Sequence, residues 1–283
     1  MNNSKVLFQD FTSRLGSAED PDEAHAIGLL VFEHLYGLSR TAIMAGQIVD
    51  DPQAQRLDTI LDRLRAHEPL QYILGEAHFF GRTYRVDPAV LIPRPETEEL
   101  VQQVVDFAGD TRQAPFSILD IGTGSGCIPI TLALGILQAH VYATDISPAA
   151  LAVARENATR LQAAVTFFEH DILTQPLPVE SLDVVVSNPP YITLREKTSM
   201  KTNVLEYEPH LALFVADDDP LLFYKVISQK ARTGLRPGGM LAFEINAEFG
   251  REVADLLRAS GFTGIAIVND LQGKQRIVKG FLA

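Results

Sequence analysis

Ile118-Leu119-Asp120-Ile121-Gly122-Thr123-Gly124-Ser125-Gly126 is the stretch on which the fold turns. An apolar run that closes on three alternate glycines reads as a buried strand passing into a tight turn. Glycine admits positive φ and lets a ligand approach the backbone with no Cβ in the way. A helix starting directly after such a turn aims its free N–H groups at that ligand.

Outward from this stretch, strands and helices alternate. Phe116–Ile121, Val141–Thr144, Val165–Phe168, Leu182–Ser187 and Met240–Ile245 are strand candidates, the last following the turn Arg236-Pro237-Gly238-Gly239. Helices are expected between them, at Pro148–Leu161 and Leu221–Leu235 among others. This order predicts a parallel sheet with helices on both faces. Gly264–Val268 and Arg276–Phe281 are strand-like and joined by the short loop Asn269–Gln275, which suits a hairpin at the sheet edge. The expected fold class is α/β: a Rossmann-like, mostly parallel sheet with an antiparallel edge hairpin.

The chain upstream has helical periodicity. Asp20-Pro21 is an N-cap followed by proline at the first helical position, with Glu23 placed as a capping-box acid. Ile27, Leu30, Val31 and Leu35 then mark one apolar face. Asp51-Pro52 repeats the start signal ahead of Leu57, Ile60, Leu61 and Leu64, and Phe8, Phe11 and Leu15 mark a shorter helix. Phe79–Val86 reads as a hairpin, and Pro88, Pro93 and Pro95 resist a continuous helix. Glu96–Val105 starts a helix with acids in its first turn. The expected organisation is a helical bundle over 1–75, a hairpin and proline-rich linker over 76–95, and the α/β domain over 96–283.

Composition bounds the function. The 283 residues carry 24 Lys+Arg against 36 Asp+Glu, a net charge of −12, and 46% are hydrophobic. Residues 1–80 hold 6 basic and 12 acidic side chains, half of that deficit. Phosphate binding draws on Lys and Arg, so the acidic balance disfavours a stable nucleic-acid partner. Cys127, the single cysteine, cannot form an internal disulfide, and the N-terminus lacks an apolar core; both lead to the expectation of a reducing cytoplasm. The longest apolar stretch, Ile128–Leu137, is half the ~20 residues of a membrane span. The histidines show no zinc-ligand spacing, so no metal is expected. Thr123 breaks the Gly-x-Ser-x-Gly pattern that would make Ser125 a nucleophile.

Three readings of the glycine turn compete. A phosphate-binding P-loop would end in Gly-Lys-Ser/Thr, which is absent. A dinucleotide fingerprint needs a third glycine where Cys127 stands. The remaining reading is an adenosine cofactor without pyrophosphate, such as S-adenosylmethionine. Asp145 closes the next strand 21 residues after Gly124, near the ~20-residue offset of an acid that accepts ribose hydroxyls. Asp171-Ile172 after the third strand would hold adenine. Taken singly, the turn is a turn and Asp145 a helix cap with Ser147. Acids and glycines at the ends of successive strands together favour cofactor binding.

Asn188-Pro189-Pro190-Tyr191 follows the fourth strand. Prolines stiffen the backbone, making the Asn188 side-chain oxygen and the Pro189 carbonyl fixed acceptors. Two acceptors suit a planar –NH2, and Tyr191 offers a flat face to the same group. An amide or aromatic amine nitrogen delocalises its lone pair, so orienting it towards an electrophilic methyl lowers the barrier. A proline turn or a docking peptide is the plainer reading. The Pro-Pro-x-Tyr spacing of the latter is broken by Ile192.

Asp120–Gly126, Asp145 and Asn188–Tyr191 together resemble a class I S-adenosylmethionine-dependent methyltransferase acting on a planar amino nitrogen. Pro69–Gly75, Ile92–Glu98, Tyr207–Leu213 and Asn269–Arg276 resemble the bacterial release factor glutamine methyltransferase family. The resemblance runs through nearly the whole chain. It implies transfer of methyl from S-adenosyl-L-methionine to the side-chain N5 of glutamine in the Gly-Gly-Gln motif of peptide chain release factors. By position, Gly122, Thr123, Gly124, Ser125 and Gly126 would wrap the methionine end, Asp145 the ribose, and Asp171 and Ile172 the adenine. Asn188, Pro189, Pro190 and Tyr191 would hold the glutamine amide, with Asn188 also beside the cofactor. Ile172 stands where the family often has an aromatic residue, and Phe214–Pro220, with three aspartates, departs from its usual turn. Glu208 is either near the substrate or an exposed acid, and Arg94 either braces the linker or touches the cofactor. A monomer without a membrane partner is expected, its helical domain docking the protein substrate. The rivals are a DNA or RNA adenine N6-methyltransferase, against which the charge counts, and a non-catalytic cofactor-binding module.

Overall fold

The computed structural model describes residues 2–16, 20–49, 54–111 and 115–283. The chain forms two compact units, Met1–Gly75 with Lys201–Tyr207, and Glu76–Met200 with Glu208–Ala283.

The first unit is helical: Ser4–Leu15, Pro21–Tyr36, Arg40–Met44, Ala54–Arg65, Leu70–Leu74 and Thr202–Tyr207. Asp20 caps the second helix by accepting from the Asp22 N–H at 2.9 Å, and Gly37 ends it at φ 64°. The buried face of that helix is Ala24, Gly28, Val31 and Phe32, so the expected stripe is rotated and Leu30 is 39% exposed. The cause is Gly28. A Cβ there would meet Thr12 Cγ2 at 2.7 Å and Phe8 Cε2 at 2.9 Å, so the helices approach through the residue with no side chain. Leu57, Ile60, Leu61 and Leu64 are buried as the spacing predicts. The Asp51-Pro52 start signal lies outside the described residues. Lys201–Tyr207 returns to this unit from far along the sequence, and the Tyr207 hydroxyl donates to the Ala66 carbonyl at 2.8 Å.

The second unit opens with the antiparallel hairpin Glu76–Phe79/Arg82–Arg85. Its α/β core runs α1 (Pro95–Thr111), β1 (Phe116–Ile121), α2 (Cys127–Gly135), β2 (Ala139–Asp145), α3 (Pro148–Leu161), β3 (Val165–Glu169) and β4 (Leu182–Ser187). Then come α4 (Leu222–Gly234), β5 (Leu235–Glu244), α5 (Gly250–Ala259), β6 (Phe262–Asn269) and β7 (Gln275–Leu282). The seven strands order as β6-β7-β5-β4-β1-β2-β3. All neighbours are parallel except β7, which lies antiparallel to both β5 and β6. The expected mostly parallel sheet with an antiparallel terminal hairpin is therefore the fold. Every residue of β4 is buried, as a central strand covered on both faces requires.

Strand β5 begins earlier than its apolar run. Leu235 pairs with Leu182, Met240 with Val184, and the register shift between them absorbs the Arg236–Gly239 turn. Gly238 takes φ 78° there, and Arg236 forms an ion pair with the buried Asp183. Because β1 pairs with β2 on one side and β4 on the other, the order reverses at its carboxyl end. Open α/β sheets form their ligand crevice at such a point.

Candidate active site

The glycine turn is fastened to its neighbours on three sides. The N–H groups of Gly122 and Thr123 both donate to the Thr144 carbonyl at 2.9 Å. The Gly124 N–H donates to Asp145 Oδ2 and the Ser147 N–H to Asp145 Oδ1, each at 2.9 Å. Buried Asn157 donates to the carbonyls of Ser125 and Arg85 and accepts from the Arg85 N–H, tying the turn to the hairpin. Gly122 and Gly124 adopt φ of 77° and 54° with open space where a Cβ would project. Gly126 serves packing instead: a Cβ there would lie 3.0 Å from Ile130 Cδ1 and 3.1 Å from Ala154 Cβ.

A cavity opens at this crevice, enclosing about 1020 Å³ with its mouth included. Of the residues singled out in the sequence, it brings together Gly122, Gly124, Asp145, Asp171, Ile172, Asn188, Pro189 and Pro190. Thr123, Ser125, Gly126 and Tyr191 are not in its lining. Thr123 and Ser125 are buried beneath the turn, and the Tyr191 hydroxyl is turned to Glu244.

The electrostatics suit a cationic adenosine ligand. The lining holds Asp145 and Asp171 but neither Lys nor Arg, which makes it a poor phosphate site. Burial raises the Asp145 carboxyl above its usual range, opposed by the N–H groups of Ser147 and Gly124. Asp171 is lowered by the Leu173 N–H and the Thr174 hydroxyl, which it accepts at 2.9 and 2.8 Å. Lys230 holds the same turn by donating to the carbonyls of Ile172 and Gln175. Ile146 and Leu173 expose apolar surface at the mouth beside Ile172, a fit for a flat heterocycle. Below the turn, both carboxylate oxygens of fully buried Asp120 lack a well-formed hydrogen bond among the described residues. An acid lining and an orphaned acid behind it fit a ligand bearing ammonium and sulfonium charge. The same residues would hold S-adenosyl-L-methionine.

Asn188 follows β4, whose last residue is anchored by the Ser187 hydroxyl donating to the Ile121 carbonyl at 2.7 Å. Its Nδ2 donates to Thr97 Oγ1 at 3.3 Å, and Thr97 in turn donates to Glu244 Oε2 at 2.6 Å. The Tyr191 hydroxyl donates to Glu244 Oε1 at 3.1 Å. Burial raises the Glu244 carboxyl, opposed by Thr97, Tyr191 and the Arg276 guanidinium. Burial and then the Glu244 charge push the Tyr191 phenol well up.

Glu208 is buried at 4% exposure, so it is not an exposed acid. It accepts from Arg94 and from the Ile92 N–H, joining two segments whose neighbours, 89–91 on one side and Pro209, Leu211 and Ala212 on the other, line the cavity. Arg94 therefore braces. Thr97 and Glu244 went unassigned in the sequence. The available signal was an acid inside the apolar run Met240–Ile245, which needs partners when the strand is buried. Among the described residues, no group of three or more His, Cys, Asp or Glu could hold a metal, and no helix is long and apolar enough to cross a membrane.

Comparison with known proteins matches residues 7–75 to the PrmC N-terminal domain and residues 103–208 to the Methyltransferase small domain. The chain is 44% identical to the release factor glutamine methyltransferase of Bacteroides thetaiotaomicron, over 91% of this chain and 92% of that one. It is 41% identical to the enzyme of the same name from Flavobacterium psychrophilum, over 95% of each. Among solved structures, a methyltransferase from Pyrococcus furiosus is 16% identical with a TM-score of 0.51, covering 81% of this chain and 98% of that one. That likeness concerns the fold.

Proposed function

The chain belongs to the release factor glutamine methyltransferase family, and from this premise we propose that it methylates the side-chain N5 of glutamine in the Gly-Gly-Gln motif of peptide chain release factors. The methyl donor is S-adenosyl-L-methionine, whose sulfonium supplies an electrophilic methyl group. The observation that carries the reading is the position of Asn188. Its side-chain nitrogen is engaged by Thr97, which leaves Oδ1 as the acceptor beside a cavity shared with Asp145.

In this reading Asp145 takes the ribose, Ile146 and Ile172 flank the adenine, and Gly122 and Gly124 admit the methionine end. Thr123, Ser125 and Gly126 shape the turn from below. Asn188 Oδ1 and the Pro189 carbonyl each accept one hydrogen of the glutamine –NH2, holding its nitrogen towards the methyl. Acceptors fixed in advance stabilise the positive charge that develops on that nitrogen without reorganising. As the N–C bond forms the C–S bond would break, releasing the cofactor as its neutral thioether. The nitrogen becomes acidic only then, so its proton passes late to solvent and no strong base is required. Pro190 stiffens the corner. Tyr191 lies outside the cavity lining and supports the corner from behind by donating to Glu244. The helical unit docks the release factor, the enzyme acts as a monomer, and the cytoplasm, where release factors work, is its compartment.

The relatives' names and the acidic charge both weigh against an adenine N6-methyltransferase. The test is incubation of the full chain with methyl-labelled cofactor and either a release factor or duplex DNA. Label on the motif glutamine is expected. Label on nucleic acid alone overturns the proposal, and cofactor binding without transfer to either leaves the non-catalytic module.

A further inference from the structure

Neither Thr97 nor Glu244 lines the cavity, yet they stand in series behind the side chain that faces it. Thr97 is 3% exposed and Glu244 1%, so each must find its partners within the protein. The threonine hydroxyl has a single hydrogen, and it is given to Glu244 Oε2 at 2.6 Å. Tyr191 donates to the other Glu244 oxygen, so both oxygens of that carboxyl act as acceptors. What Thr97 Oγ1 offers on its other side is therefore a lone pair, and the group facing it must be a donor. Asn188 Nδ2 meets it at 3.3 Å. The reversed amide would set Asn188 Oδ1 against that lone pair and leave a buried acceptor unsatisfied, which costs about 1–3 kcal/mol.

We infer that Glu244, acting through Thr97, is a positioning residue that fixes which end of the Asn188 carboxamide faces the cavity, and thereby makes the site accept a carboxamide and reject a carboxylate. This rests on the glutamine reading above. Glutamine and glutamate have nearly the same shape, so shape alone separates them poorly. An outward Oδ1 beside a backbone carbonyl gives a site made of acceptors. It binds an –NH2 through both hydrogens and repels a carboxylate oxygen. An outward Nδ2 would do the reverse. Glu244 is itself held in place: Tyr191 donates to its second oxygen, the Arg276 guanidinium lies near, and Asp270 fixes Arg276 at 3.1 Å.

The test compares wild type, Thr97→Val, Thr97→Ser and Glu244→Gln in the full chain. Valine matches threonine in shape and lacks the hydroxyl. Serine keeps it. The acceptors are a release factor with its motif glutamine and the same protein carrying glutamate there, used as a competitor. Thr97→Val is expected to lower kcat/KM for the glutamine protein about 10- to 100-fold. Its cofactor affinity stays within about twofold, because the Asp145 side is untouched. The distinguishing readout is the ratio of the competitor's inhibition constant to the KM of the glutamine protein. It is large in wild type, falls about tenfold or more in Thr97→Val, and is restored by Thr97→Ser. Glu244→Gln, which can turn either end of its own amide to Thr97, falls between. A purely structural role would weaken both proteins alike, and an unchanged ratio overturns the inference.

The Asn188 side-chain amide is also followed by ¹⁵N NMR with no acceptor present. Thr97→Val is expected to shift that resonance and Thr97→Ser to retain it; an unmoved resonance in the valine variant overturns the inference. A shifted resonance in a protein whose wild type labels no release factor would sustain the positioning role and remove the substrate assignment instead.

Discussion

Arg94 Nη2 and Glu208 Oε1 lie 2.5 Å apart although 114 residues separate them. The Glu208 side chain is 1% exposed and that of Arg94 33%. The pair clamps two stretches of cavity wall that local sequence does not connect. Glu208→Gln keeps the shape and removes the charge. Full loss of a buried pair costs about 3–5 kcal/mol, but Arg94 regains water, so about 1–3 kcal/mol is expected here. Thermal unfolding reads the stability, and titration calorimetry with the cofactor should show a Kd raised severalfold. Wild-type affinity in that variant would separate the clamp from the cavity.

Asn188→Ala removes the outward acceptor while leaving Asp145 and the glycine turn in place. Losing one preorganised partner of the developing charge costs on the order of 10²–10³ in kcat. Cofactor Kd is expected to move by less than about tenfold, since Asn188 lines the cavity while Asp145 and the glycine turn stay in place. Single-turnover methyl transfer alongside equilibrium binding checks both halves.

Burial pushes the Asp120 carboxyl up to about 7, with the Thr123 hydroxyl opposing and the Asp145 charge adding. The unfolded chain releases that proton near pH 4, whereas the folded protein keeps it until about pH 7. Folded protein thus binds more protons across this window, and the contribution of Asp120 to stability declines as pH rises through it, then levels off. The slope from one such group approaches about 1.4 kcal/mol per pH unit. Asp120→Asn should remove this part of the pH dependence. Denaturant melts from about pH 5 to about pH 8 test it.

Gly28→Ala raises intrinsic helix propensity by about 1 kcal/mol, and an exposed site would gain stability. Here the new methyl falls 2.7 Å from Thr12 and 2.9 Å from Phe8. Overpacking costs about 1–3 kcal/mol, so a net loss is expected. It should appear as a lower melting temperature for the helical unit with unchanged cofactor binding.

The sheet was readable because buried parallel strands are short apolar runs with turn residues between them. Glycines at 122 and 124 and the acid at 145 fall where one βα unit meets the next, so local spacing revealed them. What escaped the sequence depends on partners far along the chain. Leu30 was expected inside, but the packing of Gly28 on Phe8 and Thr12 turned its helix. The early start of β5 comes from pairing with Leu182 across a glycine turn that reads as a break. Thr97, Asn188 and Glu244 come from three separate segments, and their hydrogen bonds span 91 and 147 residues. No local pattern encodes such a meeting.

The two acceptors at the proline corner also bear on what happens after transfer. A glutamine nitrogen that has gained one methyl keeps a single hydrogen, so it can satisfy only one of the pair. The other would be left facing carbon, at about 1–3 kcal/mol. The modified side chain is thus held less firmly than the unmodified one. Under the proposed reaction, mono-methylation and easy departure of product would both follow from the same count of hydrogens.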